Sequence, residues 1–164
     1  MEVKIKKLSP YATIPAKAHP SDAGFDLVAI SKSFDPKTGV YSYGTGLAFE
    51  IPEGYVGLVF PRSSIFKTGM RLTNCVGVID SHYRGEVSFK FKTDIRFPSL
   101  KDLAMLSDPD CSNIETVHNV GVSYDLGDRI GQIIIMPYPE IEFVECDELS
   151  ETDRGCDGYG STGN

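Results

Sequence analysis

The chain has 164 residues and a mass of 18.0 kDa, with 41% hydrophobic residues, 24% charged residues and a formal net charge of −7. That length fits one domain with a sizeable core, and the balance is ordinary for a soluble globular protein. The acidic excess, with no basic stripe to offset it, argues against a nucleic-acid partner, and no apolar run approaches the ~20 residues that span a bilayer.

No secretory apolar region follows Met1, so the expected compartment is intracellular. Cys75, Cys111, Cys146 and Cys156 are scattered without a Cys-x-x-Cys pair, which reads as free thiols in a reducing environment. His19, His82 and His118 are equally dispersed, and no zinc-ligand spacing exists. Sixteen Gly and ten Pro separate many short apolar runs, the pattern of an all-β fold.

Residues 3–8 alternate apolar side chains with Lys, as an edge strand does when Lys guards it against pairing. A Pro-rich loop without periodicity covers 10–20. Ala23-Gly24-Phe25-Asp26-Leu27 is a short apolar strand interrupted by one acid. Residues 34–43 are turn-rich. Residues 47–51 form a strand, Pro52-Glu53-Gly54 gives a turn, and 55–60 is the returning strand, so the local chemistry predicts a hairpin. Pro61-Arg62-Ser63-Ser64 ends that strand, and Ile65-Phe66-Lys67 makes one helical turn before Gly69. Backbone N–H groups, two hydroxyls and a guanidinium make a phosphate cradle, although the same residues also describe a Ser-capped surface turn.

A strand over 71–76 leads into Gly77-Val78-Ile79-Asp80-Ser81-His82-Tyr83-Arg84-Gly85-Glu86, where an apolar run stops at a carboxylate and alternation resumes from Val87 to Phe91. This predicts a second hairpin with Asp80 and Tyr83 at its mouth. A carboxylate fixed at a strand end can act as a base, and an aromatic three residues on can wall a ring. The alternative is an Asp that closes a β-turn. Farther on, Ser99 caps a short helix carrying Leu100, Leu103 and Ala104, which Asp108-Pro109-Asp110 ends. Gly127-Asp128-Arg129-Ile130-Gly131-Gln132 starts a strand that runs to Pro137. Its continuous apolar run reads as core, leaving Gln132 as the candidate partner for phosphate or water. A last strand is expected over 141–144. The tail from Arg154 is rich in glycine with almost no apolar anchor, and it lacks the Lys and strand–helix context of a P-loop.

The stretch from Asn74 to Glu86 resembles the uracil-binding hairpin of the trimeric dUTPase family, and counterparts of all five family motifs stand in order from Ala23 to Gly163. The resemblance implies an all-β, jelly-roll-like domain over 1–153, a mobile arm over 154–164, and an insertion at about 93–123 between the third and fourth motifs. It also implies a homotrimer with sites at subunit interfaces, in the cytoplasm of a bacterium or a phage-infected host. The implied reaction is Mg²⁺-assisted hydrolysis of dUTP to dUMP and pyrophosphate. Asp80 is then the general base and meets the 3′-hydroxyl. Asp26 holds hydrated Mg²⁺ through water, while Arg62, Ser63 and Ser64 contact the phosphates. Asn74 orders the base pocket, and backbone at Gly77, Val78 and Ile79 reads the uracil edge. Tyr83 packs under the sugar and excludes a 2′-hydroxyl. Gln132 bonds phosphate or water, and Arg154, Tyr159, Gly160, Ser161 and Thr162 close over the nucleotide. Gly131 stands where the family usually has Ala, and Tyr159 where it usually has Phe. A dCTP deaminase of the related superfamily, and a nucleotide-gated interaction protein with a protein partner at the insertion, are the alternatives.

Overall fold

The computed structural model of the chain describes residues 1–93 and 123–158. Ten strands are formed there: β1 (Lys4–Lys7), β2 (Phe25–Val28), β3 (Ser31–Asp35), β4 (Val40–Gly44), β5 (Leu47–Glu50), β6 (Tyr55–Pro61), β7 (Met70–Leu72), β8 (Gly77–Ile79), β9 (Ser88–Thr93) and β10 (Arg129–Pro137). A single 3-10 turn, Ser63–Lys67, follows β6. Among the described residues no helix is long and apolar enough to cross a membrane.

The strands assemble into two four-stranded antiparallel sheets, β2-β10-β6-β8 and β3-β4-β9-β7, and a two-stranded ribbon, β1-β5. Period-two alternation decides which side chains go inside. Leu27, Val59, Ile130 and Ile133 point inward from the first sheet, Met70, Leu72, Phe89 and Phe91 from the second, and Leu47, Phe49 and Ile51 close one end. The sheets face each other closely at Gly131, where an added Cβ would strike the Phe89 ring. Tyr43, Phe91 and Tyr124 form an aromatic cluster with centroid distances of 5.4–6.0 Å. The Tyr43 hydroxyl donates to the Tyr124 carbonyl at 3.1 Å, and burial raises the pKa of both phenols. Tyr124 thus anchors the chain in the core immediately after the insertion. The insertion itself and the helix expected from Ser99 lie outside the described residues.

Several local expectations are corrected. The 47–60 segment does contain two strands, and the turn forms, with the Tyr55 N–H donating to the Pro52 carbonyl at 3.2 Å and Gly54 at φ +77°. The strands do not pair with each other, however. β5 pairs with β1, whereas β6 pairs with β10 and β8. The 77–91 segment behaves likewise: β8 joins β6 in one sheet and β9 joins β4 and β7 in the other. Each turn is therefore a crossing between sheets, as in a sandwich, and not a hairpin. The strand expected over 71–76 extends only over Met70–Leu72. The turn-rich 34–43 stretch holds the β3–β4 hairpin, paired from Ser31↔Gly44 to Asp35↔Val40. Residues 141–144 form no strand, and Ile141, Phe143 and Val144 are exposed.

Candidate active site

The segment after β6 supplies the first group of polar side chains. Pro61 ends the strand, and Arg62 has extended backbone (φ −77°, ψ 154°) just before the 3-10 turn begins at Ser63. On the neighbouring pair β10–β2, Gln132 lies opposite Asp26. Asp26, Arg62, Ser63 and Gln132 consequently line one cleft of about 290 Å³ together with Asp22 and Gly24. Gly24 leaves room for the Gln132 amide, which an added Cβ would push aside. The Gln132 side chain donates to the Pro61 carbonyl at 3.4 Å, which ties the two strand ends together.

Asp26 is the hub of this cleft. Its Oδ1 accepts from Arg62 Nε at 3.1 Å and its Oδ2 from Arg129 Nη1 at 3.0 Å, with the carboxylate largely shielded at 19% exposure. Arg129 was not singled out from the sequence, although it lies in the fourth motif-like stretch. A β-bulge brings it here. Arg129 pairs with Val28 but Gly131 with Leu27, so Ile130 is the extra residue. Alternation counted back from buried Ile133 would turn Arg129 inward; the bulge buries Ile130 instead and turns Arg129 out beside Asp26.

Asp80, Tyr83, Asn74 and the β8 residues form a second group. Asn74 and Cys75 make the tight turn that aims β8, with Cys75 at φ +60° and the Val76 N–H donating to the Asn74 carbonyl at 2.6 Å. β8 is the edge strand of its sheet, so Gly77, Val78 and Ile79 pair with β6 on one side and leave the other backbone edge open. Asp80 follows at the end of the strand, exposed, in a turn closed by the Tyr83 N–H donating to the Asp80 carbonyl at 3.0 Å. Both earlier readings of Asp80 are thus compatible, because its backbone closes the turn while its side chain remains available. Among the described residues the Asp80 carboxylate has no hydrogen bond or ion pair. The Tyr83 ring lies against Gly85, and its hydroxyl donates to the Glu86 carbonyl at 3.1 Å.

The two groups do not meet within one chain. The register Gly57↔Ile79 sets Asp80 beside Val56, at the start of β6, whereas Arg62 lies just past its end. Six residues of strand separate the levels, about 20 Å at ~3.3 Å per residue. Arg154 is exposed and bonded locally, its Nε donating to the Asp157 carbonyl at 3.0 Å. Tyr159, Gly160, Ser161 and Thr162 lie outside the described residues.

A profile of the dUTPase family matches residues 10–96, slightly more than half of the chain. The chain belongs to the dUTPase family. A deoxyuridine 5′-triphosphate nucleotidohydrolase of Nautilia profundicola is 38% identical over 166 residues, covering 99% of this chain and 99% of the relative. One from Nocardia farcinica is 33% identical over 162 residues, covering 98% of this chain and 85% of the relative. Among solved structures, the dUTPase of Staphylococcus bacteriophage 80alpha bound to dUpNHpp matches with a TM-score of 0.70 at 25% identity, covering 99% of both chains. The dUTPase of phage phi11 of S. aureus, described with its species-specific insert, matches with a TM-score of 0.69 at 26% identity, covering 93% of this chain and all of that one.

Members of the dUTPase family imply a divalent cation, and the cleft fits one that arrives with phosphate. Asp22 and Asp26 both line it, and Mg²⁺ bound by substrate phosphates needs only one or two protein carboxylates and keeps several waters. Two acceptor positions of Asp26 are taken by arginines, and its remaining lone pairs can accept from the ion's water shell. Among the described residues no group of three or more His, Cys, Asp or Glu could hold an ion unaided.

Proposed function

We infer that this chain hydrolyses dUTP to dUMP and pyrophosphate. The observation that carries the reading is the contrast between two carboxylates. Both oxygens of Asp26 are engaged by guanidiniums, whereas Asp80 stands exposed at a strand end with no partner among the described residues. Asp80 is therefore the general base. It takes a proton from the water whose oxygen bonds to the α-phosphorus as the bond to the bridging oxygen breaks, and pyrophosphate leaves. Arg62, Ser63 and Gln132 orient the phosphate chain, and the arginine charge offsets what builds up on the leaving group. Asp26 and Asp22 would hold the water shell of a Mg²⁺ ion arriving with the triphosphate, and that ion would supply further charge neutralisation.

The open edge of β8 supports recognition of the base. Unpaired N–H and C=O groups at Gly77, Val78 and Ile79 can bond the uracil edge as they would a neighbouring strand, and Asn74 steadies the turn before them. Tyr83, whose hydroxyl donates to the Glu86 carbonyl, would pack under the deoxyribose.

The separation of about 20 Å between Asp80 and Arg62 along β6 is too great for one α-phosphate to meet both. A complete site then takes Asp80 from one subunit and the Arg62 cleft from another, as a homotrimer with interfacial sites provides. The arm beginning at Arg154, with Tyr159, Gly160, Ser161 and Thr162, closes over the nucleotide, and Arg154, which commits only its Nε–H to the Asp157 carbonyl, keeps its other donors for phosphate. The insertion is the place for any protein partner.

Asp80→Asn tests the reading, since it removes the proton acceptor with almost no change in volume. Turnover should fall by a factor of about 10² or more, while the non-hydrolysable analogue dUpNHpp binds within a few-fold of wild type. Near-normal turnover in this variant removes Asp80 from the mechanism.

A further inference from the structure

We propose that Glu86 is the positioning residue for Tyr83, so that discrimination against a 2′-hydroxyl depends on a carboxylate bonded to the β4–β5 corner. The substrate class rests on the dUTP reading; the support given to Tyr83 rests on geometry. Tyr83 is 44% exposed and rests on one side against Gly85, so packing alone holds the ring loosely. Its fixed point is the hydroxyl, which donates to the Glu86 carbonyl at 3.1 Å. The direction of the ring therefore follows the direction of the peptide group that joins Glu86 to Val87.

That peptide is held at two points. It is planar, with the Glu86 carbonyl on one edge and the Val87 N–H on the other, and the N–H donates to the Leu47 carbonyl at 2.9 Å. One hydrogen bond leaves the plane able to swing about it. The second point is the Glu86 side chain, whose Oε1 accepts from the Gly46 N–H at 2.7 Å. A carboxylate on a backbone N–H is a charge-assisted bond, stronger than a neutral pair. The corner that receives it is itself fixed. Thr45 and Gly46 link β4 to β5, and the Gly46 carbonyl accepts from the Leu8 N–H at 2.7 Å. The Thr45 hydroxyl, fully buried, donates to the Val87 carbonyl at 2.7 Å. Gly44 gives the carboxylate its room, since an added Cβ would lie 2.5 Å from Oε1. Glu86 is an exposed residue that could extend into solvent, yet it turns back onto this corner. A chain of bonds thus runs from the β4–β5 corner through Glu86 to the phenol of Tyr83.

The test uses the full-length protein and two readouts, the ratio of UTP to dUTP hydrolysis in kcat/KM and hydrogen exchange of the Gly46 amide by NMR. Glu86→Ala should raise the ratio about three- to tenfold, the scale of one net hydrogen bond, and should speed Gly46 exchange. Glu86→Gln keeps an acceptor oxygen at the same reach and should hold both readouts within about twofold of wild type. Glu86→Asp keeps the charge but falls one carbon short of Gly46, and should behave as Glu86→Ala does. Tyr83→Phe cuts the tether and leaves the ring, so it should raise the ratio by a similar factor. Adding Glu86→Ala to it should raise the ratio no further, because both changes act through one bond. An unchanged ratio or unchanged Gly46 exchange in Glu86→Ala, failure of Glu86→Gln to keep the ratio, or additive effects in the double variant each overturns the proposal. A wild-type protein that cleaves neither nucleotide removes the dUTP reading, and Gly46 exchange in Glu86→Ala then decides the support of Tyr83 by itself.

Discussion

The two carboxylates Asp26 and Asp80 show how environment divides chemical roles among identical side chains. Guanidinium donors at 3.0 and 3.1 Å engage both oxygens of Asp26, whereas the Asp80 carboxylate has no hydrogen bond or ion pair among the described residues and is the proposed base. Tyr83 has a comparable support. Its ring rests on Gly85, where any Cβ would overlap the ring and hydroxyl. Gly85→Ala should therefore displace Tyr83 and, like Tyr83→Ala, raise the ratio of UTP to dUTP hydrolysis about tenfold or more, the scale on which a pocket excludes one added group. An unchanged ratio in both variants would mean that the 2′-hydroxyl is excluded elsewhere. Asp80, Tyr83 and Arg62 were proposed from the sequence because each stands at or beside a break between an apolar run and turn chemistry. Arg129 was not. Its outward direction depends on a bulge, and strict alternation back from Ile133 points it into the core.

At the level of elements, the turns at 52–54 and 80–83 were read correctly as reversals of the chain, but their strands were assigned to each other. Local turn chemistry fixes where a chain reverses. It does not fix which sheet the next strand joins, because that is settled by burying the inner faces of both sheets together. The β3–β4 hairpin was missed for the opposite reason: every residue of β3 is exposed, so no apolar alternation marks it. β10 was read well, since its apolar run is sandwiched between β2 and β6 over a buried core. Gly131 within it departs from the Ala usual in the family, and the contacts explain why. A Cβ there would lie 2.7 Å from the Phe60 carbonyl oxygen and overlap the Phe89 ring, and backbone cannot move aside as a flexible side chain can. Gly131→Ala should cost about 1–3 kcal/mol of stability, as overpacking does. A melting temperature equal to wild type would show that the two sheets can separate slightly without loss.

On the scale of the whole molecule, the proposed site needs more than one chain. β10 ends at Pro137, and beyond it Tyr138, Ile141, Phe143, Val144 and Leu149 are exposed apolar side chains that join no core among the described residues. With Asp80 and Arg62 at opposite ends of β6, the same conclusion follows from the polar residues. Two separately inactive variants, Asp80→Asn and Arg62→Gln, should then complement. Co-refolded in equal amounts into random trimers, about a quarter of sites would combine an intact Asp80 with an intact Arg62 and recover that fraction of wild-type activity. Mixed trimers verified by mass that remain inactive would place both residues in the site of one subunit. The most direct test of the account as a whole is pyrophosphate release measured side by side with dUTP, UTP, dTTP and dCTP, with ammonia followed in the dCTP reaction. The edge of β8, the free carboxylate of Asp80 and the ring of Tyr83 predict rapid release from dUTP, little from the other three, and no ammonia. Equal release from dUTP and UTP, or ammonia from dCTP, would contradict it.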